Sequence, residues 1–249
     1  MDSATLLLSH IARDIHQEPA YNCSLPGQGF HRSLFLTPLS ALLPPETERC
    51  ILQALFFLPP SVFADPYELK QQADDHRLGK FMIFGVTDLE GPVSAVDPRG
   101  TVVLLNLDPS KEGGGSELPL HMRYPEPVEH NLLDMYGQVG FELPCPIVYW
   151  ACESVDNNEE TSPFDDLTPP FVSPYKSGTS FYFLPVQAPE GKQPGNPVIE
   201  VHVPAGDLSH LPAVEWGTTH VILLAFLYVA YSAWSVPPRP HSTAREKVE

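Results

Sequence analysis

The feature that most constrains this sequence is an uncharged stretch near its C-terminal end. Residues 217–236 read GTTHVILLAFLYVAYSAWSV and contain no Asp, Glu, Lys or Arg. A helix of about 20 residues rises about 30 Å, which matches the thickness of a bilayer's hydrocarbon core. Trp216 precedes the stretch and Trp234 lies near its end, as aromatic side chains do at membrane interfaces. We therefore predict a single transmembrane helix at 217–236.

The charges on either side of the predicted span differ in sign. The 237–249 segment that follows it carries Arg239, Arg245 and Lys247. Between Lys192 and the span, the charged residues are all acidic: Glu200, Asp207 and Glu215. Basic residues collect on the cytosolic side of a membrane. We therefore expect 237–249 to be a cytosolic tail and the large domain to lie across the membrane.

The N-terminal segment, residues 1–20, shows no clear signal peptide, although residues 4–17 could form a helix. Asp2 precedes a short apolar run that Arg13 and Asp14 interrupt. Taken alone, this would describe a tail-anchored protein with its domain in the cytosol. We favour a missing or cryptic signal, partly because Asn22-Cys23-Ser24 is an N-glycosylation sequon.

The composition indicates a β-rich domain over residues 21–212. The chain contains 29 prolines, which disfavour long soluble helices, and a net charge of −17 makes a nucleic-acid partner unfavourable. Short apolar or alternating segments recur and end at Pro, Gly or Asp, which is typical of an all-β, antiparallel sandwich-like fold. The predicted strands are 31–37, 50–58, 81–87, 101–107, 118–124, 146–152, 180–187 and 198–203. One helix is predicted over 66–78, with Asp65 as its N-cap.

Three polar segments between the predicted strands are expected to be solvated surface loops. Residues 108–117 are rich in glycine, and residues 188–197 combine proline with glycine. Residues 153–174 contain six acidic residues and no basic one.

The four cysteines are Cys23, Cys50, Cys145 and Cys152. None forms a C-x-x-C pair and no histidine cluster lies near them, so we expect no metal site. They are either buried thiols or the partners of one or two disulfides. Four cysteines allow three complete pairings, and the sequence does not select one.

Signatures of catalysis are lacking in the sequence, and we expect neither an enzyme nor a cofactor. It contains no nucleophile elbow, Walker loop or H-E-x-x-H motif. The acidic pairs 74–75 and 165–166 lie in polar stretches that are typical of a solvated surface. His121 and Arg123 share one face of a predicted strand, since strand side chains alternate. That face is either a polar contact surface or a structural set of hydrogen bonds to neighbouring loops.

Four segments, in order along the chain, resemble the PIG-X family, the accessory subunit of GPI mannosyltransferase I. They are 29–32 (GFHR), 58–69 (LPPSVFADPYEL), 118–124 (LPLHMRY) and 201–206 (VHVPAG). The candidate motif or interface residues within them are Gly29, His31, Arg32, Asp65, Pro66, Tyr67, Glu68, Leu69, His121, Arg123 and Tyr124.

The resemblance implies a type I glycoprotein of the endoplasmic reticulum membrane, with its large domain in the lumen. In the family this subunit stabilises a multi-pass catalytic subunit, PIG-M, which transfers the first mannose from dolichol-phosphate-mannose during GPI-anchor biosynthesis. The resemblance also favours disulfides. A lumenal chaperone-like or receptor-like binding module is the alternative, and a hydrolase using His121 is a weaker one.

Overall fold

The computed structural model describes residues 18–45, 49–110, 115–153, 162–165, 167, 170–187 and 197–235. Its strands are antiparallel, and a C-terminal helix follows them, so the predicted fold class is confirmed. The predicted helix at 4–17 lies outside the described residues. The chain divides into two compact units, with the boundary between Gly206 and Asp207.

The first unit contains eleven strands in its described part. They are β1 (Tyr21–Ser24), β2 (His31–Pro38), β3 (Cys50–Leu58), β4 (Val62–Phe63), β5 (Phe81–Gly85), β6 (Thr101–Asn106), β7 (Ser116–Met122), β8 (Gln138–Pro144), β9 (Ile147–Glu153), β10 (Thr179–Leu184) and β11 (Val198–Pro204). Each of the eight predicted strands overlaps one of these strands. The short strands β1 and β4, and the glycine-containing β8, were not predicted.

These strands form two sheets and a ribbon. The first sheet has the order β1-β2-β7-β4, the second has β10-β9-β3-β6-β5, and β8 pairs with β11. The main core lies between the inner faces of the two sheets. Leu34 and Leu120 of the first sheet and Phe56 and Leu105 of the second are buried there. The ribbon adds Val201 to this core.

The second sheet is buried on its outer face as well. Leu55, Val102 and Tyr149 point away from the main core and form a second cluster with Phe164 and Phe171. A strand covered on both faces needs apolar side chains at successive positions, which explains the continuous apolar sequence of β3. The prediction that 153–174 is a solvated loop is therefore wrong for Phe164, Leu167 and Phe171, which are buried.

The helix α1 (Pro66–Asp74) begins where its capping residue predicts. The Asp65 carboxylate accepts a hydrogen bond from the backbone N–H of Tyr67 at 2.8 Å, and Pro66 occupies the first turn, where no intrahelical donor is needed. The helix ends four residues earlier than predicted, at Asp74. The loop expected at 108–117 is also shorter, because β7 already begins at Ser116.

The second unit contains the helix α2 (Leu211–Ser235), whose 25 residues correspond to a length of about 37 Å. It begins six residues before the predicted span, with Pro212 in its first turn. Within the described part of the chain, 208–235 is the one helical segment that is long and apolar enough to cross a membrane. The predicted tail at 237–249 lies outside the described residues.

Candidate functional site

The four motif segments, which are far apart in the sequence, converge on one end of the first sheet. In the β2–β7 ladder His31 lies opposite His121, and in the β4–β7 ladder Phe63 also lies opposite His121. The motif that includes Glu68 forms the first turn of α1. Strand β11 joins through Arg32, whose Nη2 donates to the carbonyl oxygen of His202 at 2.5 Å.

His121 is the centre of this motif cluster, and three neighbours fix its imidazole. Its Nε2 lies 2.8 Å from Oε2 of Glu68, close enough for a hydrogen bond or an ion pair. The Phe63 ring stacks on it, with centroids 5.2 Å apart and planes 18° apart. The His31 ring meets it edge-on at 4.7 Å. The imidazole is thus held by packing on its faces and by a carboxylate at one nitrogen.

An open cleft of about 440 Å³ lies beside His121. Its lining combines apolar surface with hydrogen-bonding groups, namely Pro26, His31, Arg32, Ser33, Phe35, Glu68, Pro119, Leu120 and His121. A mixed and open surface of this kind suits a protein segment better than a small molecule, which proteins usually enclose on most sides.

Arg123 has a structural role in this cluster. Only 5% of its surface is exposed, and its guanidinium donates to the carbonyl oxygens of Gly91 at 2.7 Å and Asp88 at 2.5 Å. It also lies 4.5 Å from the centroid of the Phe63 ring. Burial lowers the pKa of Arg123, and the charge of Asp88 opposes that shift. Of the two interpretations left open by the sequence, the structural one applies to Arg123.

Arg32 also binds backbone carbonyls. Its Nε donates to the carbonyl oxygen of Gly29 at 3.0 Å, in addition to the bond to His202. Gly29 has a φ of +86°, a conformation that side-chain-bearing residues rarely adopt, so the turn before β2 requires glycine there. Burial lowers the pKa of Arg32.

The remaining motif residues divide between the interior and the surface. Leu69, in α1, is fully buried. Tyr67 and Tyr124 are 76% and 72% exposed, respectively, and the Tyr124 ring lies 4.4 Å from that of Phe30. Both tyrosines therefore present large, mostly accessible aromatic side chains.

Several residues that build the cluster were missed by the sequence reasoning. Phe63 contacts both His121 and Arg123, and the 88–91 loop accepts the bonds of Arg123. Phe63 lies within a motif segment, so its position could have suggested a role. Nothing in the sequence marks the 88–91 loop, because its backbone rather than its side chains binds Arg123.

The structure joins the four cysteines in two disulfides. One connects Cys23 in β1 to Cys145 just after β8, and the other connects Cys50 to Cys152, which are directly opposite in the β3–β9 ladder. Asn22 lies in β1 between two residues that pack on the main core, so its side chain points away from that core.

The acidic pairs and histidines do not assemble a metal site in the described ranges, where no group of three or more His, Cys, Asp or Glu side chains is suitably placed. Asp75 caps the end of α1 and pairs with Arg77 at the surface. Asp165 is exposed, and its neighbour Asp166 lies outside the described residues.

Together, the antiparallel sandwich and the long apolar helix define a protein with a β-rich domain and a membrane-compatible C-terminal helix. A family model described as PIG-X / PBN1 matches residues 27–234, and the chain belongs to that family.

Named relatives agree with this assignment. Protein PBN1 of Gibberella zeae is 32% identical over 215 residues, covering 84% of this chain and 42% of that protein. Protein pbn1 of Emericella nidulans is 30% identical, covering 87% of this chain and 44% of that protein. Protein pbn1 of Schizosaccharomyces pombe is 29% identical, covering 83% of this chain and 57% of that protein. The chain therefore spans about half the length of these relatives.

Proposed function

We propose that this protein is a non-catalytic, stabilising subunit of GPI mannosyltransferase I in the endoplasmic reticulum membrane. Its partner is a multi-pass catalytic subunit similar to PIG-M, which transfers the first mannose from dolichol-phosphate-mannose during GPI-anchor biosynthesis. The β-rich domain is lumenal, and α2 is a single membrane span. Membership of the PIG-X / PBN1 family supports the biosynthetic context.

The observation that carries the proposal is the way the motif residues divide in the structure. Arg32 and Arg123 bind backbone carbonyls and Leu69 is buried, whereas Tyr67 and Tyr124 are largely exposed. Tyr67 immediately precedes Glu68, which lines the open cleft. Exposed tyrosines with apolar rings and a polar tip are common in protein–protein interfaces. We therefore assign the motif surface, defined as Tyr67, Tyr124 and the cleft around His121, to contact with the catalytic subunit.

A catalytic role fits the chain less well. A lipid-linked sugar donor lies in the bilayer, and its polar head needs a pocket lined by several membrane helices. The apolar part of α2 at 217–235 contains no Asp, Glu, Lys or Arg that could contribute to such a pocket. Single-span subunits act instead by packing against other helices and by holding loops in place.

The partner contact is tested by replacing the exposed tyrosines in the complete protein. We expect Tyr67→Ala with Tyr124→Ala to lower co-purification of the catalytic subunit at least about fivefold, since buried interface tyrosines are often hot spots. The fold should be unchanged, which thermal melting checks. Tyr182 is an exposed tyrosine on β10, and Tyr182→Ala is the matched control. This variant should co-purify with the catalytic subunit as the wild type does.

Depletion experiments separate the proposal from its alternative. Loss of this chain should lower the abundance of one multi-span catalytic subunit and the mannosylation that depends on it. Unchanged abundance and mannosylation would contradict the proposal. Recovery of many secretory proteins in similar amounts, with no stoichiometric multi-span partner, would instead favour the chaperone-like or receptor-like module.

The topology has its own test at Asn22. If the domain is lumenal, the protein should carry a glycan that endoglycosidase H removes, and Asn22→Gln should abolish the mobility shift. An unglycosylated protein whose domain is digested by protease added outside intact microsomes would contradict the lumenal assignment.

A further inference from the structure

A turn between β7 and β8 exposes a group of apolar side chains that the motif surface does not include. Leu132, Met135 and Tyr136 are 64%, 87% and 77% exposed, respectively. We call these three residues the apolar turn. Large apolar side chains that cluster on a surface usually mark a contact with another molecule or a membrane.

The backbone of the apolar turn is held in place by hydrogen bonds. The N–H of Gly137 donates to the carbonyl oxygen of Asp134 at 3.0 Å. The N–H of Asp134 donates to the carbonyl oxygen of Gln138 at 2.9 Å. The Asp134 carboxylate also accepts from the N–H groups of Tyr136 and Gln138, both at 2.8 Å. The exposed side chains are therefore presented by an ordered turn whose polar groups are already paired.

The same turn is bonded to the last residues of the β-rich domain. The N–H of Ala205 donates to the carbonyl oxygen of Gly137 at 3.1 Å. The N–H of Val128, which precedes the turn, donates to the carbonyl oxygen of Gly206 at 2.9 Å. Only four residues separate Gly206 from Leu211, the first residue of α2. The turn is therefore bonded to the part of the chain that leads directly into α2.

We propose that the apolar turn inserts into the interfacial layer of the bilayer in which α2 anchors the chain. Tyrosine is favoured at the headgroup level, and leucine and methionine side chains can enter the upper acyl region. This inference rests on the membrane anchor in the proposed function, but not on the identity of the catalytic partner.

The charges near the turn indicate the kind of lipid surface. Asp134 lies in the turn and Glu126 and Glu129 precede it in the sequence, whereas Lys and Arg are absent from 124–153. Anionic lipid would be repelled by these carboxylates, since attraction to such lipid requires basic clusters. The expected surface is therefore zwitterionic, for which phosphatidylcholine is a suitable probe.

Photocrosslinking of the full-length protein in phosphatidylcholine vesicles tests the insertion. Benzoylphenylalanine would replace Met135, with Phe226 in α2 as the positive control. Leu43, which is 76% exposed, is the matched control. Leu43 follows the end of β2 at Pro38. The apolar turn follows the end of β7 near His121, which pairs with His31 at the opposite end of β2. We expect the lipid adduct at 135 to exceed that at 43 at least about fivefold, because only the turn reaches the acyl boundary.

The other outcomes separate two kinds of failure. If position 226 gives lipid adducts while positions 135 and 43 give equal yields, the insertion is wrong and the anchor remains. If position 226 also gives none, the anchor itself is wrong. If position 135 crosslinks to the catalytic subunit rather than to lipid in native membranes, the turn is a protein interface and the proposal is overturned.

Discussion

The outer faces of the two sheets differ sharply, although their inner faces share one core. On the second sheet, Tyr149 and its neighbours are covered by the segment that includes Phe164 and Phe171. On the first sheet, the cleft beside His121 leaves the outer face open, with Glu68 and Ser33 at its walls. The covered face adds buried apolar area and therefore stability, whereas the open face leaves polar side chains accessible to a partner.

Phe164→Ala should have the largest effect on stability, because it removes the centre of the aromatic cover. The Phe164 ring lies within 4.8–6.2 Å of five other aromatic rings, measured between centroids. Truncation of a buried Phe costs about 3–5 kcal/mol in the free energy of unfolding. Urea unfolding of the detergent-solubilised protein measures the loss.

Val172→Ala is the control for that change. Val172 lies in the same segment but is 69% exposed, so the expected change is within about 0.5 kcal/mol. Equal and small effects at positions 164 and 172 would show that the cover contributes little, and the contrast between the two faces would lose its energetic basis.

Arg123→Met tests whether a motif residue beside the open face acts through the fold. Methionine keeps much of the side-chain length but leaves the carbonyl oxygens of Gly91 and Asp88 without their donors. An unsatisfied buried polar group costs about 1–3 kcal/mol, so thermal melting should show a clear loss. Arg99→Met, which breaks a surface ion pair with Asp97, should lower the melting temperature much less than Arg123→Met does, because solvent screens exposed pairs. If both substitutions cost the same, the structural role of Arg123 is wrong.

Alkaline pH should weaken the covered face selectively. Burial is the main cause that raises the pKa of Tyr149 and of Tyr175, whose hydroxyls share a hydrogen bond. The unfolded chain therefore loses these protons first, so their contribution to stability is present below about pH 10 and declines as the pH rises above it. Each tyrosine would contribute a loss of about 1.4 kcal/mol per pH unit in that range.

Tyr175→Phe isolates this effect. The variant should be less stable than the wild type near pH 8, because it loses the hydrogen bond that Tyr175 donates to Gln53 at 2.7 Å. The difference should narrow between pH 10 and 11. Urea unfolding at both pH values measures it, and an unchanged difference would show that Tyr175 ionises equally in the folded and unfolded chains.

Glu68→Gln should have the smallest effect on stability. The carboxylate is partly exposed and pairs with His121 at the edge of the open cleft, where such pairs contribute less than about 1 kcal/mol. Melting temperatures of this variant and of Glu117→Gln should both remain near that of the wild type. Glu117 is an exposed acidic residue on β7 that does not line the cleft. A loss above about 2 kcal/mol at Glu68 alone would make the cleft a structural feature rather than an accessible surface.

Local sequence patterns determined the elements of this protein. Apolar runs ended by Pro, Gly or Asp located eight strands, and Asp65 followed by Pro66 located the start of α1. The uncharged stretch near the C-terminal end located α2, since the length of an apolar helix is set by the thickness it must cross. These features depend on neighbours in the sequence, so the sequence alone was sufficient for them, whereas the strands β1, β4 and β8 were not predicted.

Only the tertiary structure decided which of those elements meet. It selected one of three cysteine pairings by placing Cys50 opposite Cys152, and it brought His31 to His121 across a separation of 90 residues. In the structure Phe164 is buried although its segment is acidic. His121 lines the open cleft, whereas Arg123 binds backbone carbonyl oxygens in the interior. Each outcome depends on contacts between distant segments, and a pattern of neighbouring residues does not encode which distant surface requires a cover or a hydrogen-bond donor.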